Sequence, residues 1–118
     1  MINESYLNYK TLNENLKIVK DLKKILRLRF GDNIEDVILF GSRASDNAST
    51  DSDYDVLVIL RNDYDWHDRN DIISEVYKLE VEMDILFDIH LLSSKEMKDT
   101  LRGAQPVFIN AINKGLYA

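Results

Sequence analysis

The chain lacks several sequence features, and each absence excludes a kind of site, structure or location. It has no cysteine, which excludes disulfide bonds and thiolate metal sites. No internal repeat or low-complexity tract occurs in the sequence. No apolar run approaches the roughly 20 residues that a membrane span needs, and the first ten residues lack the apolar segment of a signal peptide. We therefore expect no membrane partner and a cytoplasmic location.

The composition is that of an ordinary globular protein, with 45% hydrophobic and 31% charged residues. The length of 118 residues predicts a single domain over residues 1–118. Charge is uneven, since residues 30–92 carry sixteen acidic and only four basic side chains. Such a section repels polyanions unless cations intervene, which argues against general nucleic-acid binding. It suits a divalent-metal site, although acidic residues equally keep a surface soluble.

Residue patterns predict helices and strands in alternation. Thr11 and Glu14 form a capping-box pattern before a helical apolar stripe. Only about 12 residues separate the first two predicted strands, too few for a crossover helix, so these strands are expected to be antiparallel or joined by a partly helical turn. The fold class is therefore α/β, with a small mixed sheet of at least three strands flanked by helices. The predicted elements are a helix at 12–29, strands at 37–40 and 54–60, a helix at 66–82, a strand at 85–92, and helices at about 93–102 and 106–113.

The predicted second strand begins with two carboxylates on one face. Asp53 and Asp55 are two residues apart, so both point to the same side of an extended chain. Carboxylates this close repel each other unless a cation lies between them. Mg²⁺ typically takes one or two carboxylates together with phosphate and water oxygens. This pair is therefore a candidate metal site, although Asp-x-Asp also occurs by chance in loops.

A glycine and two polar residues follow the predicted first strand. Gly41 lets the backbone approach a phosphate closely. Exposed N–H groups at this turn, with the Ser42 hydroxyl and the Arg43 guanidinium, could hold nucleotide phosphates. A plain turn explains the same residues.

A third carboxylate lies within the predicted third strand. Asp88 is surrounded by apolar residues, where burying a charge without a partner is costly. If this strand lies beside the second one, Asp88 joins Asp53 and Asp55 around metal; otherwise it is an edge carboxylate facing water. His90 shares the face of Asp88 and either contacts substrate, relays a proton, or forms part of the wall of the site.

Together these residues resemble a known family. Gly41-Ser42, ten intervening residues and Asp53-Tyr54-Asp55 are similar to the Gly-Ser-x₁₀-Asp-x-Asp motif of the minimal nucleotidyltransferases, within the DNA-polymerase-β-like superfamily. The segments 39–44 and 51–58 are similar to that family as well, as is the later carboxylate at Asp88. The resemblance extends over about residues 12–117 and implies a nucleotidyltransferase fold.

The resemblance also implies a role for each motif residue. Gly41 and Ser42 would bind the phosphates of an NTP, most simply ATP. Asp53 and Asp55 would hold two Mg²⁺ ions, with Mn²⁺ as a substitute, and Asp88 would complete the catalytic metal site and help deprotonate the acceptor hydroxyl. The reaction would be in-line attack on the α-phosphorus with release of pyrophosphate. The chain departs from the family at Ser45 and Asp46, where a basic residue and a glycine are common.

Small proteins of this kind resemble the antitoxin of bacterial pairs whose toxin is a HEPN-domain ribonuclease. There the nucleotidyltransferase adds AMP to a tyrosine of the toxin. The resemblance thus implies a HEPN-type partner protein and a role as antitoxin, and it leaves oligomerisation open. A chain of this length is expected to lack the extra helical domain that holds the acceptor in larger relatives, so the acceptor is expected on another chain.

Two other functions fit the same residues. One is a nucleotidyltransferase that modifies a small molecule, such as an aminoglycoside-like antibiotic hydroxyl. The other is a non-catalytic antitoxin that neutralises its partner by binding alone.

Overall fold

The computed structural model describes residues 4–45, 52–99 and 105–118. In this part of the chain no helix is long and apolar enough to cross a membrane. Short 3₁₀ turns at Gly31–Asn33 and Gly41–Ala44 precede and follow the first strand. The elements in chain order are α1 (Glu4–Phe30), β1 (Ile34–Phe40), β2 (Tyr54–Leu60), α2 (Trp66–Met83), β3 (Phe87–Ser93), α3 (Ser94–Asp99), α4 (Pro106–Lys114) and β4 (Leu116–Tyr117).

The four strands form one mixed sheet in the order β3-β2-β1-β4. β1 runs antiparallel to both β2 and β4, whereas β3 runs parallel to β2. A parallel pair needs a crossover connection, and α2 supplies it. The expectation of an α/β fold with a mixed sheet flanked by helices is confirmed.

One face of the sheet, called here the helix face, packs against α1 and α2. Val19, Leu22 and Leu26 recur at helical spacing on α1 and are fully buried. They meet alternate side chains of the strands, among them Val56 and Val58 of β2. This packing makes the helix face the larger part of the hydrophobic core.

The opposite face, called here the site face, is covered only in part. Phe108 and Ala111 of α4 pack against Ile38, Leu57 and Ile59 of the sheet. The next side chain on this face of β2, towards its amino end, is Asp55. The apolar cover therefore gives way to carboxylates where β2 and β3 begin.

Several predicted boundaries are confirmed and others are wrong. β2 and the start of α2 match, and capping boxes form at Asp65 with Asp68 and at Ser93 with Glu96. The cap predicted at Thr11 is wrong, because α1 begins at Glu4 and continues through it. β4 was not predicted, since a two-residue strand has no periodicity and forms only by pairing with β1. The predicted end of a helix near residue 102 lies outside the described residues.

Basic residues near the carboxyl end of α1 hold the fold together. Lys23 Nζ donates to the carbonyl of Ala118 at 2.7 Å, and Arg27 donates to the carbonyls of Ile34 and Glu35. Arg29 forms an ion pair with Glu75 of α2 at 2.7 Å. These contacts tie α1 to the sheet and to α2.

We predict that Gly115→Ala destabilises the protein. A Cβ at Gly115 would collide with the carbonyl oxygen of Ala111 and with Cγ2 of Ile38, so α4 would have to move away from β1. Overpacking of this kind costs about 1–3 kcal/mol, measurable as a lower urea midpoint. The control is Gly31→Ala, where a Cβ meets open space and the left-handed φ of 59° costs about 1 kcal/mol. An unchanged midpoint for Gly115→Ala would contradict this packing.

Candidate active site

The register of the central strand brings two of the three predicted carboxylates together. Asp55 of β2 pairs with Phe40, the last residue of β1, and with Asp88 of β3. Directly paired residues of neighbouring strands point to the same side of a sheet. Asp55 and Asp88 therefore lie side by side on the site face, and the Gly41–Ala44 turn begins next to them.

Two carboxylates and an imidazole form a compact group there. Asp55, Asp88 and His90 each offer one ligand atom, and these atoms lie within 4.8 Å of one another. His90 Nε2 is 3.4 Å from Asp88 Oδ2. The donor set of two oxygens and one nitrogen, gathered at one point, fits a divalent cation.

Asp53 lies at the edge of this group rather than inside it. It is exposed and comes just before β2, two residues from Asp55. Its ligand atoms are not among those that converge within 4.8 Å. Its negative charge nevertheless acts on the Asp55 carboxyl group, so the two side chains are electrostatic neighbours.

The environment disfavours the charged form of Asp55. Partial burial and, next, the carboxylate of Asp88 raise the pKa of the Asp55 carboxyl group. Asp53 raises this pKa further, while His90 lowers it. A divalent cation bound between these carboxylates would relieve the repulsion.

Gly41 is required by two separate features of its position. Its φ is +72°, a left-handed conformation that residues with a side chain rarely adopt. A Cβ here would also collide with Oδ2 of Asp55. The turn can therefore pass directly over the carboxylate only because residue 41 is glycine.

Arg43 lies on the other side of the turn from the carboxylates. Its guanidinium group donates to the carbonyl of Ser52 at 2.9 and 3.0 Å and lies over the Tyr54 ring, 4.5 Å from the centroid. Tyr54 belongs to the helix face. These contacts fasten the turn to the start of β2, and the phosphate-binding role of Arg43 stays a prediction.

Asn15 of α1 is a residue of the site region that sequence reasoning missed. Its side chain is 3% exposed, donates to the carbonyl of Arg43 at 3.2 Å and accepts from the Tyr54 hydroxyl at 3.0 Å. It precedes Val19 and Leu22 on the buried stripe of α1. The sequence carried one signal for Asn15, which is a polar residue within an apolar helical stripe. Such a residue is expected to be buried and therefore to need hydrogen-bond partners.

Two concavities adjoin the site. One of about 380 Å³ lies between the Gly41 turn and α4, on the site face. The other, of about 470 Å³, borders α2 and is lined by Asp53. Neither concavity is lined by Asp55 or Asp88. The first adjoins the site through Gly41, which lies directly against the Asp55 carboxylate on the site face. Its lining residues are Phe40, Gly41, Ala44, Ser45, Val107, Asn110, Ala111, Lys114 and Gly115.

Comparison with known families agrees with this geometry. The family described as "Polymerase beta, Nucleotidyltransferase" matches residues 17–109, which include the Gly41 turn and all three aspartates. The chain belongs to this nucleotidyltransferase family. It is also 32% identical over 73 residues to a protein of Methanocaldococcus jannaschii named "Putative protein adenylyltransferase", covering 62% of this chain and 74% of the relative.

Family membership confirms several expectations at once. The protein is a nucleotidyltransferase enzyme, and a nucleotide is its expected class of substrate. Nucleotidyltransferases generally use divalent metal, and the group of Asp55, Asp88 and His90 offers a place for it.

We predict that Asp55→Asn stabilises the metal-free protein at neutral pH. A carboxyl group with a raised pKa contributes stability that is present below its ordinary pKa of 3.8 and is lost as pH rises through the folded pKa. The variant should thus melt higher than wild type at pH 7 and at the same temperature well below pH 3.8. The gain is about 1 kcal/mol or less, roughly 4 °C, because water screens a partly exposed carboxylate.

Calorimetry on metal-stripped protein across this pH range checks the prediction. The control is Asp32→Asn, because Asp32 is an exposed aspartate just before β1, at the end of that strand opposite the site. This variant should melt at about the same temperature as wild type across the pH range. A metal-free Asp55→Asn protein that melts lower than wild type at pH 7 would show that the carboxylate stabilises the fold instead.

Proposed function

We propose that this nucleotidyltransferase moves AMP from ATP to a hydroxyl group of a partner protein, most simply a tyrosine of a HEPN-type toxin, and so acts as an antitoxin. The observation that carries the proposal is the juxtaposition of the Gly41 turn with Asp55 and Asp88 on an open face. The choice of a protein acceptor is supported by the M. jannaschii relative, which is named as a protein adenylyltransferase.

The nucleotide would lie in the concavity between the Gly41 turn and α4. Gly41 and Ser45 border it on one side, and Lys114 and Asn110 of α4 border it on the other. Ser45 stands where many family members have a basic residue. Lys114 would supply the positive charge for the phosphates from across the groove, and the Asn110 amide offers a further hydrogen-bonding group.

The carboxylates would then act on the reacting atoms. Two Mg²⁺ ions bound by Asp53, Asp55 and Asp88 would neutralise charge on the entering and leaving oxygens. The acceptor oxygen forms a bond to the α-phosphorus, the bond to the β-phosphate oxygen breaks, and pyrophosphate leaves. Asp88 takes the hydroxyl proton or directs it to water, since its half-exposed carboxylate faces the open side of the group.

The experiment is intact-mass spectrometry of a neighbouring HEPN-type gene product incubated with this protein, divalent metal and each NTP in turn. We expect the partner to gain the mass of one AMP group with ATP only. Asp53→Asn, Asp55→Asn and Asp88→Asn should each abolish the gain or slow it by about 10³-fold, by analogy with loss of a group that stabilises transition-state charge.

The matched control for these variants is Asp32→Asn, which should retain full activity. Two results together would favour an antitoxin that acts by binding alone: the wild-type enzyme leaves the partner unmodified, and Asp55→Asn still neutralises the toxin. A mass gain on a small hydroxyl compound in place of the protein would assign the acceptor to that class.

We also predict that Lys114→Glu weakens the binding of NTP. Loss of one charge-assisted contact and addition of a like charge should raise KM for the NTP about tenfold or more, with a smaller change in kcat. The control is Lys24→Glu, the same change at an exposed lysine of α1 on the far side of the sheet. Equal KM values for the two variants would exclude this groove as the phosphate site.

A further inference from the structure

The imidazole of His90 has a position that the family motif does not explain. It lies two residues after Asp88 on β3, on the same face, and is half-buried. Its ring packs between Phe40 of β1, at 5.5 Å between centroids, and Phe108 of α4, at 6.2 Å. This packing restricts the ring and leaves Nε2 directed towards the carboxylates.

The distances between these side-chain atoms fit ligands of one shared cation better than a simple hydrogen bond. His90 Nε2 and Asp88 Oδ2 are 3.4 Å apart, which is long for a hydrogen bond between these groups. Two ligand atoms at right angles around a cation, each about 2.1 Å from it, are separated by about 3 Å. All three groups, including Asp55, lie within 4.8 Å, so one cation can contact each after small side-chain movements.

We propose that His90 is a nitrogen ligand of the divalent cation and shifts the preference of the site from Mg²⁺ towards first-row transition metals such as Mn²⁺. Mg²⁺ binds oxygen ligands almost alone, whereas imidazole binds transition metals well. This inference rests on the metal site of the proposed function and adds the identity of the preferred ion.

The test measures the metal directly, on the full chain without a histidine tag. Pulsed electron paramagnetic resonance of bound Mn²⁺ detects coupling to a directly bound imidazole nitrogen. The chain has two histidines, so His90→Leu removes the proposed ligand and keeps an apolar side chain between Phe40 and Phe108. His67→Leu is the matched control, because His67 lies at the start of α2, exposed and stacked on Trp66.

We expect ¹⁴N coupling in wild type and in His67→Leu, and none in His90→Leu. In wild-type protein made with ¹⁵N-histidine, the ¹⁴N coupling should be replaced by ¹⁵N coupling. The test therefore stands even if His90→Leu folds poorly. Calorimetric titration should give about a tenfold loss of Mn²⁺ affinity in His90→Leu and a change below about threefold for Mg²⁺.

Two outcomes separate this inference from the proposed function. Mn²⁺ that binds in an Asp55-dependent manner without histidine coupling would overturn the role of His90 as a ligand and leave the nucleotidyltransferase site intact. Binding that Asp55→Asn and Asp88→Asn do not alter would overturn the metal site itself, and the inference with it.

Discussion

The register between the three long strands is the constraint on which the site depends. Asp55 of the central strand faces Phe40 on one side and Asp88 on the other. A shift of one residue between β2 and β3 would turn Asp88 to the helix face, against the apolar core of α1 and α2. The same hydrophobic side chains that fix this register, such as Val56 and Ile89, therefore also align the acidic group.

The group formed in this way opposes folding while no cation is bound. Burial and two neighbouring carboxylates raise the pKa of Asp55, so its ionisation weakens the metal-free fold. His90 acts in the other direction and lowers this pKa. Gly41 adds a left-handed turn in contact with the same carboxylate. Such concentration of like charge and conformational constraint is typical of functional sites, where ligand binding offsets it.

The structure separates two kinds of residue within the Gly-Ser-Arg motif. Gly41 lies against Asp55 on the site face, where substrate can reach it. Arg43 turns away, binds the Ser52 carbonyl and covers Tyr54, while Asn15 holds the Arg43 carbonyl from α1. The motif thus combines a residue that leaves room for a ligand with a residue that fixes the turn. Residue type alone could not distinguish them, because an arginine can bind either a phosphate or a carbonyl oxygen.

Local patterns in the sequence determined most of the helices, the three long strands and the closeness of Asp53 to Asp55 along the chain, because alternation and capping depend on neighbouring residues only. The β2 boundaries and the caps at Asp65 and Ser93 are examples. Tertiary structure decided what depends on distant residues. It paired β4 with β1, placed Asp53 outside the converging group and brought His90 into it. Strand register and α4 packing set those positions, and neither is encoded within a few residues of the side chains that they place.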